Sequence, residues 1–465
     1  MGSSSRWQRL HALHIQPLAV DTSTWTASFD FALVGADEHL RLREMATFPP
    51  PPQPPSEAAL AAFRRVLQLL QVAMGTSYYK VAAPRQVVLD GPPLAEQAMP
   101  WATALFRHGM GEFAYTNNLP HVLELELTAN EQGAAGPAAG AAPPDLSRAR
   151  PLVPVGGGKD SLVSVEALRH DFDPVLISVN PNELRTGVMD AAGLPQLHVF
   201  RTLDPQLFAL NQAGAYNGHV PVTAINSLLA VATAVLHGLG PVVMSNERSA
   251  SIPNLTWHGH QINHQWSKGI DAERLLGEAL TTHAGLPGAY FSLLRPLSEL
   301  HIAALYAPFT AYNAMMTSCN AAFRMSDRSA RWCGDCPKCR FVFVALAPFV
   351  ARDRLVAIFG ADLLDDERQL PGYRELAGLV RHKPFECVGE TEETLAAFRL
   401  LAAQPLWSGA AVVRRLRAEV GHPTWLPDAE LARVFRPDPP HHLPEPYARA
   451  LAKLISSQEP AHAPQ

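Results

Sequence analysis

The chain has 465 residues, of which 47% are hydrophobic and 17% are charged, and its formal net charge at pH 7 is −5. This length suffices for about two to four domains with buried cores, and the acidic balance argues against a dominant nucleic-acid-binding surface. No run of about eighteen uncharged apolar residues is present, which excludes a membrane-spanning helix, and the N-terminus lacks the apolar core of a signal peptide.

The first predicted elements belong to a small α+β domain. Residues 25–35 alternate apolar and polar side chains, as a half-buried strand does, and residues 49–55 form a proline-rich spacer. Ser56 is expected to cap a helix that ends at about Met74, because Gly75 follows as a typical helix terminator.

A stretch rich in alanine, glycine and proline then marks the first domain boundary. It follows a further candidate strand at residues 122–127. Residues 132–144 carry no charge and cannot build a core, which is typical of a flexible linker. The N-terminal α+β domain is therefore predicted to span residues 1–147.

From residue 151 onward, apolar strands alternate with helices. The strands are predicted at residues 151–155, 174–179, 196–200 and 241–245, and the helices at residues 162–170 and 224–237. Strands that are apolar on both faces and separated by helices indicate a parallel sheet covered on two sides. Ligands of such sheets bind beyond the carboxyl ends of the strands. Three loops are therefore expected to meet at one site: residues 156–161, 180–185 and 246–268.

The C-terminal region, residues 361–465, is more charged and is predicted to be helical. Its clearest helices are residues 391–403 and 410–420. The parallel-sheet domain accordingly covers residues 148–360, and the whole chain is assigned to the α/β class.

The loop after the first strand of the parallel sheet carries the strongest functional signal. Residues 155–161 read Val-Gly-Gly-Gly-Lys-Asp-Ser, and the three glycines allow backbone N–H groups to close on a phosphate. Ser161 is expected to cap the following helix, whose N-terminus attracts an anion. Lys159 adds a full positive charge, and Asp160 is placed to hold Mg²⁺. The loop is not a Walker loop, because Asp160 stands where that motif requires Ser or Thr.

These features predict an ATP site. Ten residues are expected to contact the nucleotide: Val155, Gly156, Gly157, Gly158, Lys159, Asp160, Ser161, Ser178, Val179 and His219. The loop resembles that of the ATP pyrophosphatases, or PP-loop enzymes, which cleave ATP to AMP and pyrophosphate while they adenylate a substrate. This resemblance implies a Rossmann-like PP-loop core. One residue departs from the pattern, because the PP-loop usually begins with Ser and Gly156 lacks that hydroxyl.

Four of the five cysteines are clustered as Cys319-x13-Cys333-x2-Cys336-x2-Cys339. This spacing brings four thiolates to one centre, and zinc is favoured because four sulfur ligands leave no open position, which indicates a structural role. An iron–sulfur cluster, which four cysteines also bind, is the alternative. The cluster resembles that of the 7-cyano-7-deazaguanine synthases, which are also PP-loop enzymes. Together with the ATP loop, it predicts a cytoplasmic protein.

Two polar stretches after the strand at residues 241–245 are expected to select the substrate. Residues 245–251 are almost entirely polar. Residues 257–268 place three histidines and a lysine beside two tryptophans: His258, His260, His264 and Lys268. No carboxylate or cysteine is interleaved among these histidines, which favours recognition of a polar substrate over a metal site.

Five parts of the chain together resemble the bacterial UDP-N-acetyl-α-D-muramoyl-L-alanyl-L-glutamate epimerases: residues 155–161, 217–226, 245–268, the cysteine cluster and residues 383–389. The resemblance implies an ATP- and Mg²⁺-dependent enzyme of peptidoglycan precursor synthesis. Such an enzyme inverts the terminal glutamate of a UDP-linked muramoyl dipeptide from L to D and releases AMP and pyrophosphate. The implied partner is this small-molecule substrate, with neither nucleic acid nor membrane involved.

Adenylation would explain why such an inversion uses ATP. A carboxylate is a poor electron sink for a carbanion at its α-carbon, whereas the mixed anhydride with AMP accepts the electrons as an enolate. Removal and return of the proton require acid–base groups, and the candidates are Glu247, His258, His260, His264, Lys268 and Cys387. Cys387 is the cysteine outside the cluster, and a buried structural thiol is the alternative for it.

Arg248 is the candidate for gripping a carboxylate or phosphate with two hydrogen bonds. The predicted catalytic set is therefore Lys159, Asp160, Glu247, Arg248, His264, Lys268 and Cys387.

Two other functions are compatible with the ATP loop. In a PP-loop ligase or nucleobase-modifying enzyme, an amine or ammonia would attack the adenylate. In an ATP-sensing regulatory protein with a zinc module, no adenylate would form. The intact Lys-Asp-Ser sequence at residues 159–161 and the long polar stretches disfavour this last function.

Overall fold

The computed structural model describes residues 7–129, 146, 150–323, 331–380, 384–420, 426–439 and 441–458. The predicted linker at residues 132–144 and the predicted boundary at residue 147 lie outside these residues. Lys383, which begins one of the stretches that carry the family resemblance, lies outside them as well.

The described residues contain thirteen strands: β1 (Leu10–Ile15), β2 (Ala19–Asp21), β3 (Thr26–Gly35), β4 (His39–Thr47), β5 (Gln86–Leu89), β6 (Glu126–Ala129), β7 (Leu152–Pro154), β8 (Val175–Val179), β9 (Gln196–Thr202), β10 (Val242–Met244), β11 (Leu255–Trp257), β12 (His260–Ile262) and β13 (Tyr290–Ser292). All but β11 and β12 belong to one sheet. Its order is β13-β10-β7-β8-β9-β4-β3-β1-β5-β6, with β2 paired to β3, while β11 and β12 form a separate hairpin.

The same residues contain seventeen α-helices: α1 (Glu57–Tyr79), α2 (Met99–Arg107), α3 (Gly111–Thr116), α4 (Lys159–Leu168), α5 (Glu183–Ala192), α6 (Gln206–Gln212), α7 (Val222–His237), α8 (Ile270–Ala279), α9 (Glu299–Tyr306), α10 (Pro337–Leu346), α11 (Arg352–Phe359), α12 (Leu370–Leu376), α13 (Thr391–Ala403), α14 (Pro405–Ser408), α15 (Ala411–Val420), α16 (Asp428–Phe435) and α17 (Glu445–Gln458). The chain is therefore a mixed α/β protein with a helical C-terminal region.

The sheet is mostly parallel and runs through both the N-terminal and the central part of the chain. Strands β13, β10, β7, β8 and β9 are parallel to one another. The parallel arrangement of the last four was predicted, whereas β13 was not among the predicted strands. β4 then pairs antiparallel with β9, with Met45 opposite Thr202 and Thr47 opposite Phe200. The two parts thus share one continuous sheet, and the boundary at residue 147 stays a prediction.

Side chains and helices also fasten these two parts together. Glu44 on β4 is fully buried and forms an ion pair with Arg201 on β9. A buried carboxylate is tolerated when it is paired in this way, whereas loss of its partner is strongly destabilising. On the helical layer, α1 packs along α7.

Helix α1 is longer than predicted. Ser56 caps it as expected, because its side chain accepts a hydrogen bond from the N–H of Ala59 (3.2 Å). The helix nevertheless continues through Gly75 to Tyr79. A Cβ atom at position 75 would lie 2.9 Å from Cδ1 of Ile15 on β1. The prediction that Gly75 ends the helix was therefore wrong, since this glycine lets the helix approach the sheet.

Residues 122–127 also differ from their prediction as a strand. Residues Pro120–Glu124 form a 3₁₀ turn, and the strand β6 begins only at Glu126. Proline is favoured in the first turn of a helix because its fixed φ suits that position. The other predicted strands and helices are observed with their ends shifted by a few residues.

Strand β7 lies at a reversal of the strand order. The chain passes from β7 through α4 to β8 on one side, and it later passes through α7 to β10 on the other side. In parallel sheets such a reversal opens a crevice beyond the carboxyl ends of the two strands. The glycine-rich loop follows β7 and therefore lies at this crevice.

The C-terminal helices pack on the helices that cover the parallel half of the sheet. α17 contacts α4, and α13 contacts α10. Among the described helices, none combines the length and the apolar character that crossing a membrane requires.

Candidate active site

A cavity of about 360 Å³ lies beyond the carboxyl ends of β7, β8 and β10. All three loops that were predicted to converge contribute to its wall: Gly156, Gly158, Asp160 and Ser161 from the first, Arg185 from the second, and Asn246 and Lys268 from the third. The predicted convergence is confirmed.

Helix α4 begins at Lys159 rather than at the predicted residue 162. Its N-cap is Gly158 in an extended conformation, and the hydroxyl of Ser161 donates a hydrogen bond to the carbonyl oxygen of Gly158 (3.0 Å). The prediction that Ser161 caps the helix was therefore wrong. The earlier start places the free N–H groups of the first helical turn directly after the glycines.

The glycines of the loop serve different purposes. Gly157 has a φ of +98°, which L residues rarely adopt, and its carbonyl oxygen accepts a hydrogen bond from the N–H of Thr317 (3.0 Å). A Cβ atom at Gly158 would lie 3.3 Å from Cβ of Ser318, whereas one at Gly156 would meet no described atom within 4 Å. The loop is thus packed against residues 317–318 on one side and open to the cavity at Gly156.

Lys159 does not extend freely into the cavity. Its side chain is 2% exposed and forms ion pairs with Asp160 and Glu299. Burial lowers the pKa of Lys159, but the two carboxylates outweigh burial and raise this pKa above its ordinary value. Burial raises the pKa of Glu299, whereas Lys159 and Lys338 lower it to about 2. The lysine is therefore a fixed positive charge beneath the loop, and Asp160 is the partner that reaches the cavity wall.

Other predicted ATP contacts lie in the same wall. Val155, Ser178 and Val179 line the cavity at the ends of β7 and β8. The hydroxyl oxygen of Ser178 is buried and has no hydrogen-bond partner among the described residues. A buried polar group of this kind requires a partner from a ligand or from water.

The loop after β10 adds a second set of charges. Lys268 lines the cavity and donates a hydrogen bond to Oε1 of Gln265 (3.3 Å). Burial lowers the pKa of Lys268, yet the negative charges of Cys387 and Glu247 raise it above its ordinary value. Burial and repulsion by Glu299 raise the pKa of Glu247. Its Oε1 atom is buried without a hydrogen-bond partner in the described part of the chain.

Cys387 lines this cavity too, although it comes from the distant segment before α13. Its thiol and the imidazole of His264 are close enough for each to shift the pKa of the other, and Nζ of Lys338 donates a hydrogen bond to the backbone carbonyl of Cys387. Burial raises the pKa of the thiol, but Lys268 and His264 outweigh burial and lower the pKa to about 6. Cys387 is therefore mainly a thiolate at neutral pH.

His264 is linked in turn to Glu112 on α3 through a hydrogen bond between Nδ1 and Oε2. Burial lowers the pKa of His264, whereas the neighbouring thiol of Cys387 and the carboxylate of Glu112 raise it to about 9. His219, a predicted ATP contact, lies here rather than in the cavity wall, with its Nδ1 3.7 Å from Oε2 of Glu112. Burial and repulsion by His264 lower the pKa of His219 to about 4. The thiolate thus faces a protonated His264 whose own partners are Glu112 and a neutral His219.

Three candidate residues lie away from the glycine loop. The guanidinium of Arg248 donates a hydrogen bond to the carbonyl oxygen of Arg436 (3.3 Å) and lies 3.8 Å from Oδ2 of Asp438. His258 is exposed in the turn of the β11–β12 hairpin with a φ of +49°, and His260 begins β12. The structure does not bring these side chains into the cavity.

The four clustered cysteines converge in space. Their sulfur atoms all lie within 4.8 Å of one another. Sγ of Cys339 is 3.7 Å from Sγ of Cys333 and 3.4 Å from Sγ of Cys336. In a tetrahedral zinc site with Zn–S bonds of about 2.3 Å, the sulfurs are about 3.8 Å apart. The donor set fits one metal ion, whereas an iron–sulfur cluster requires wider spacing because its four thiolates are divided among two or four iron atoms.

Several residues of the site were not found from the sequence. Glu112 lies in the N-terminal region, for which no function was predicted, and Glu299 begins α9 without any motif. Thr317 and Ser318 contact the glycine loop just before the first clustered cysteine. Lys338 does carry a local signal, because it lies between two clustered cysteines, where a positive charge offsets that of thiolates. The others are defined by tertiary contacts that no local pattern marks.

Two family models match the chain: the MurL N-terminal domain at residues 4–293 and the MurL C-terminal domain at residues 315–431. A protein of a Micromonospora species is 57% identical over 453 residues, which cover 96% of this chain and 99% of that protein. A Xanthomonas oryzae pv. oryzae protein is 42% identical over 86% of this chain and 88% of its own. Both are named UDP-N-acetyl-alpha-D-muramoyl-L-alanyl-L-glutamate epimerase. No solved structure matches the chain significantly.

Proposed function

Because the chain belongs to the MurL family of UDP-N-acetyl-α-D-muramoyl-L-alanyl-L-glutamate epimerases, we propose that it inverts the terminal L-glutamate of UDP-MurNAc-L-Ala-L-Glu to D-glutamate. We propose further that ATP is cleaved to AMP and diphosphate in this reaction. One observation carries both statements: a single cavity joins the glycine-rich loop to Cys387 and Lys268. Phosphate-binding backbone and acid–base side chains are thus available to one substrate.

The parallel half of the sheet is assigned to the PP-loop fold, with ATP in the crevice between β7 and β10. The loop has an open face at Gly156, and the N-terminus of α4 follows it directly. Ser178 offers a buried hydroxyl that lacks a partner in the described part of the chain. These three features support a site for a phosphate-bearing ligand. Asp160, at the cavity wall, is the residue that would hold Mg²⁺.

ATP would supply the activation of the glutamate, by converting its terminal carboxylate into an acyl-adenylate. The protein's own groups suit such a reaction. Lys159 is held in place by Glu299 and so keeps a positive charge beneath the phosphates without moving. Lys268 remains protonated at the cavity wall, where it neutralises negative charge that develops on the activated carboxyl group.

Of the six acid–base candidates named from the sequence, four lie at or near the cavity. Lys268 and Cys387 line it, Glu247 lies buried close to Lys268, and His264 contacts Cys387 from behind. A proton at the substrate's Cα therefore meets these groups rather than His258 or His260, which lie at the β11–β12 hairpin.

The cysteine cluster is proposed to hold a structural zinc ion through Cys319, Cys333, Cys336 and Cys339. Four thiolates leave no position for substrate, so the ion would stabilise the fold rather than take part in the chemistry. Its location supports this role, because Thr317, close to Cys319, donates a hydrogen bond to Gly157 of the glycine loop. Reduced thiolates and ATP are both features of the cytoplasm, which is the proposed location.

The deciding experiment is chiral analysis of glutamate after the purified protein is incubated with UDP-MurNAc-L-Ala-L-Glu, ATP and Mg²⁺. D-glutamate should form together with AMP, and neither should form without ATP. A PP-loop ligase would instead release AMP while a nitrogen nucleophile is incorporated into the product. Mass analysis of the product separates the two, because inversion leaves the mass of the dipeptide precursor unchanged.

A further inference from the structure

Glu112, His264 and Cys387 form a row of neighbouring side chains that ends at the cavity. The three residues come from widely separated segments: α3, the stretch after β12 and the stretch before α13. Nδ1 of His264 is hydrogen-bonded to the carboxylate of Glu112, and the imidazole interacts with the thiol of Cys387 closely enough to lower the pKa of that thiol. Cys387 is the member that lines the cavity, whose wall also contains Lys268 and the glycine loop.

We propose that the Cys387 thiolate is the base that removes the Cα proton of the activated glutamate, and that Glu112, acting through His264, is a positioning residue for that thiolate. The inference rests on the proposed epimerisation and assigns its proton-transfer groups. Glu112 itself touches neither the cavity wall nor the reacting atoms. Its effect reaches the substrate only through His264.

Groups in the cavity account for every proton and for the electron pair of the proposed transfer. The thiolate of Cys387 accepts the Cα proton and becomes a thiol, while the electron pair of the C–H bond moves into the activated carboxyl group to give an enolate. The ammonium of Lys268 then returns a proton to the opposite face of Cα. Proton transfer from the thiol of Cys387 to the neutral amine of Lys268 restores the starting state.

The other titratable groups at the cavity wall are unsuited to be this base. Asp160 is paired with Lys159. Lys268 and Lys338 are positive, and Arg185 is a guanidinium that donates a hydrogen bond to the carbonyl of Val179. Among the titratable side chains that line the described cavity, Cys387 therefore combines access to the substrate with a deprotonated state near neutral pH.

The charges that face Cys387 come from three elements. His264 follows β12, Lys268 precedes α8, and Lys338 lies on α10. All of them are positive when His264 is protonated, and Glu112 is what favours that protonated form. Loss of the Glu112 charge should therefore lower the pKa of His264 and raise the pKa of Cys387.

A metal-binding site is the alternative function for the side chains around His264. Glu112, His219 and His264 present ligand atoms within 4.8 Å of one another, which a divalent cation would satisfy. Metal binding needs a neutral imidazole. Nδ1 of His264 is instead hydrogen-bonded to Glu112, and Cys387 and Glu112 raise the pKa of His264 to about 9. Both features favour the protonated imidazole over a metal ligand.

Thiol alkylation tests, without substrate, whether Glu112 acts on the thiol of Cys387 through His264. Zinc-loaded protein is treated with iodoacetamide across a pH series, and modification of Cys387 is followed by peptide mass spectrometry. The half-maximal rate should lie near pH 6 in the wild type. It should move to higher pH in Glu112→Gln, with a rate about tenfold lower at pH 6. Glu112→Asp should restore part of the shift, and Glu124→Gln, at an exposed glutamate of the same region, should leave the profile unchanged.

Solvent exchange tests the base. In D₂O with ATP and substrate, Cys387→Ser should lose deuterium incorporation at Cα while AMP release continues. Exchange that persists in Cys387→Ser, or a covalent glutamyl adduct on Cys387, would overturn the inference while leaving the epimerase activity in place. Absence of D-glutamate with the wild type would contradict the proposed function instead.

Two further results would refute the proposed influence of Glu112 on Cys387. One is an alkylation profile of Glu112→Gln that coincides with the wild type in protein of unchanged thermal stability. The other is a second equivalent of metal, beyond that of the cysteine cluster, that elemental analysis finds in the wild type and not in Glu112→Gln.

Discussion

The cavity has two walls that are built in opposite ways. The glycine wall, residues 155–161, is one uninterrupted loop between β7 and α4. The thiol wall is Cys387 together with the two residues behind it, His264 and Glu112, which do not line the cavity; it collects single side chains from three distant segments. A phosphate cradle can be encoded locally, because backbone N–H groups and a helix N-terminus suffice to make one. A tuned acid–base pair cannot, because its pKa values depend on neighbours that only the tertiary fold supplies.

The largest expected effect concerns the cysteine cluster behind the glycine wall. Cys336→Ser should lose the bound metal and lower the melting temperature by roughly 5–10 °C, because a structural metal contributes folding free energy. Cys387→Ser is the matched control, since it removes a thiol of the other wall and should keep both metal content and stability. Elemental analysis and thermal unfolding measure the two effects. A metal-free wild type of full stability would contradict the structural role of the cluster.

Lys159 and Asp160 are neighbours in the glycine wall, but their substitution should affect stability to different extents. Lys159→Met should lower the free energy of unfolding by about 3–5 kcal/mol, because it removes the closer of the two lysines that pair with the buried carboxylate of Glu299 and leaves only Lys338, at 3.8 Å. Asp160→Asn should cost far less, since Asp160 is partly exposed at the cavity wall. Both variants should abolish AMP release. Denaturant unfolding and an AMP assay test the pair.

Two outcomes would count against this assignment. Equal unfolding free energies in Lys159→Met and the wild type would contradict the buried ion pair. AMP formation near the wild-type rate in Asp160→Asn would remove the glycine loop from the reaction.

The sequence predicted the locally encoded glycine wall better than it predicted the thiol wall. The order of strand, glycine loop and helix was predicted, because each feature depends on neighbouring residues. The start of α4 was misplaced, since Ser161 is a good capping residue but Gly158 already provides the extended N-cap. Gly75 was misread for a related reason: a glycine that ends a helix and one that allows close packing on Ile15 look alike in a sequence.

For the thiol wall, the sequence supplied residue types but not their arrangement. His264 and Cys387 were named among six acid–base candidates, and nothing local distinguished them from His258 on the exposed hairpin turn. Glu112 was absent from the candidates, because a glutamate in the first turn of a short helix is an ordinary surface residue unless a histidine from elsewhere reaches it.

A smaller effect is expected from the glycines themselves. Gly157→Ala should lower the free energy of unfolding by about 1–2 kcal/mol, because its positive φ is strained for any residue with a Cβ. Gly156→Ala should change stability by less than about 0.5 kcal/mol, since its Cβ meets no described atom within 4 Å. It should nevertheless raise KM for ATP, because the methyl group enters the space assigned to phosphate. An unchanged KM in Gly156→Ala would place the phosphates elsewhere.

The smallest expected effect is a pH dependence that belongs to the thiol wall. The active form needs the Cys387 thiolate and the His264 imidazolium together. Protonation removes the thiolate as the pH falls through about 6, and deprotonation removes the imidazolium as the pH rises through about 9. A plot of kcat/KM for the epimerisation should therefore be bell-shaped, falling about tenfold per pH unit beyond each limb.

Glu112→Gln sharpens this test, because it acts on both limbs in opposite directions. Without the carboxylate, His264 loses its proton at lower pH and the basic limb moves down. The thiol of Cys387 then loses part of its stabilising charge, and the acid limb moves up. The bell should narrow from both sides while AMP release in single-turnover experiments keeps its wild-type pH dependence, since the glycine wall is untouched. If both limbs of the kcat/KM profile stay at their wild-type pH in Glu112→Gln, Glu112 has no part in the proton transfer. The thiol wall would then not depend on distant side chains as its geometry indicates.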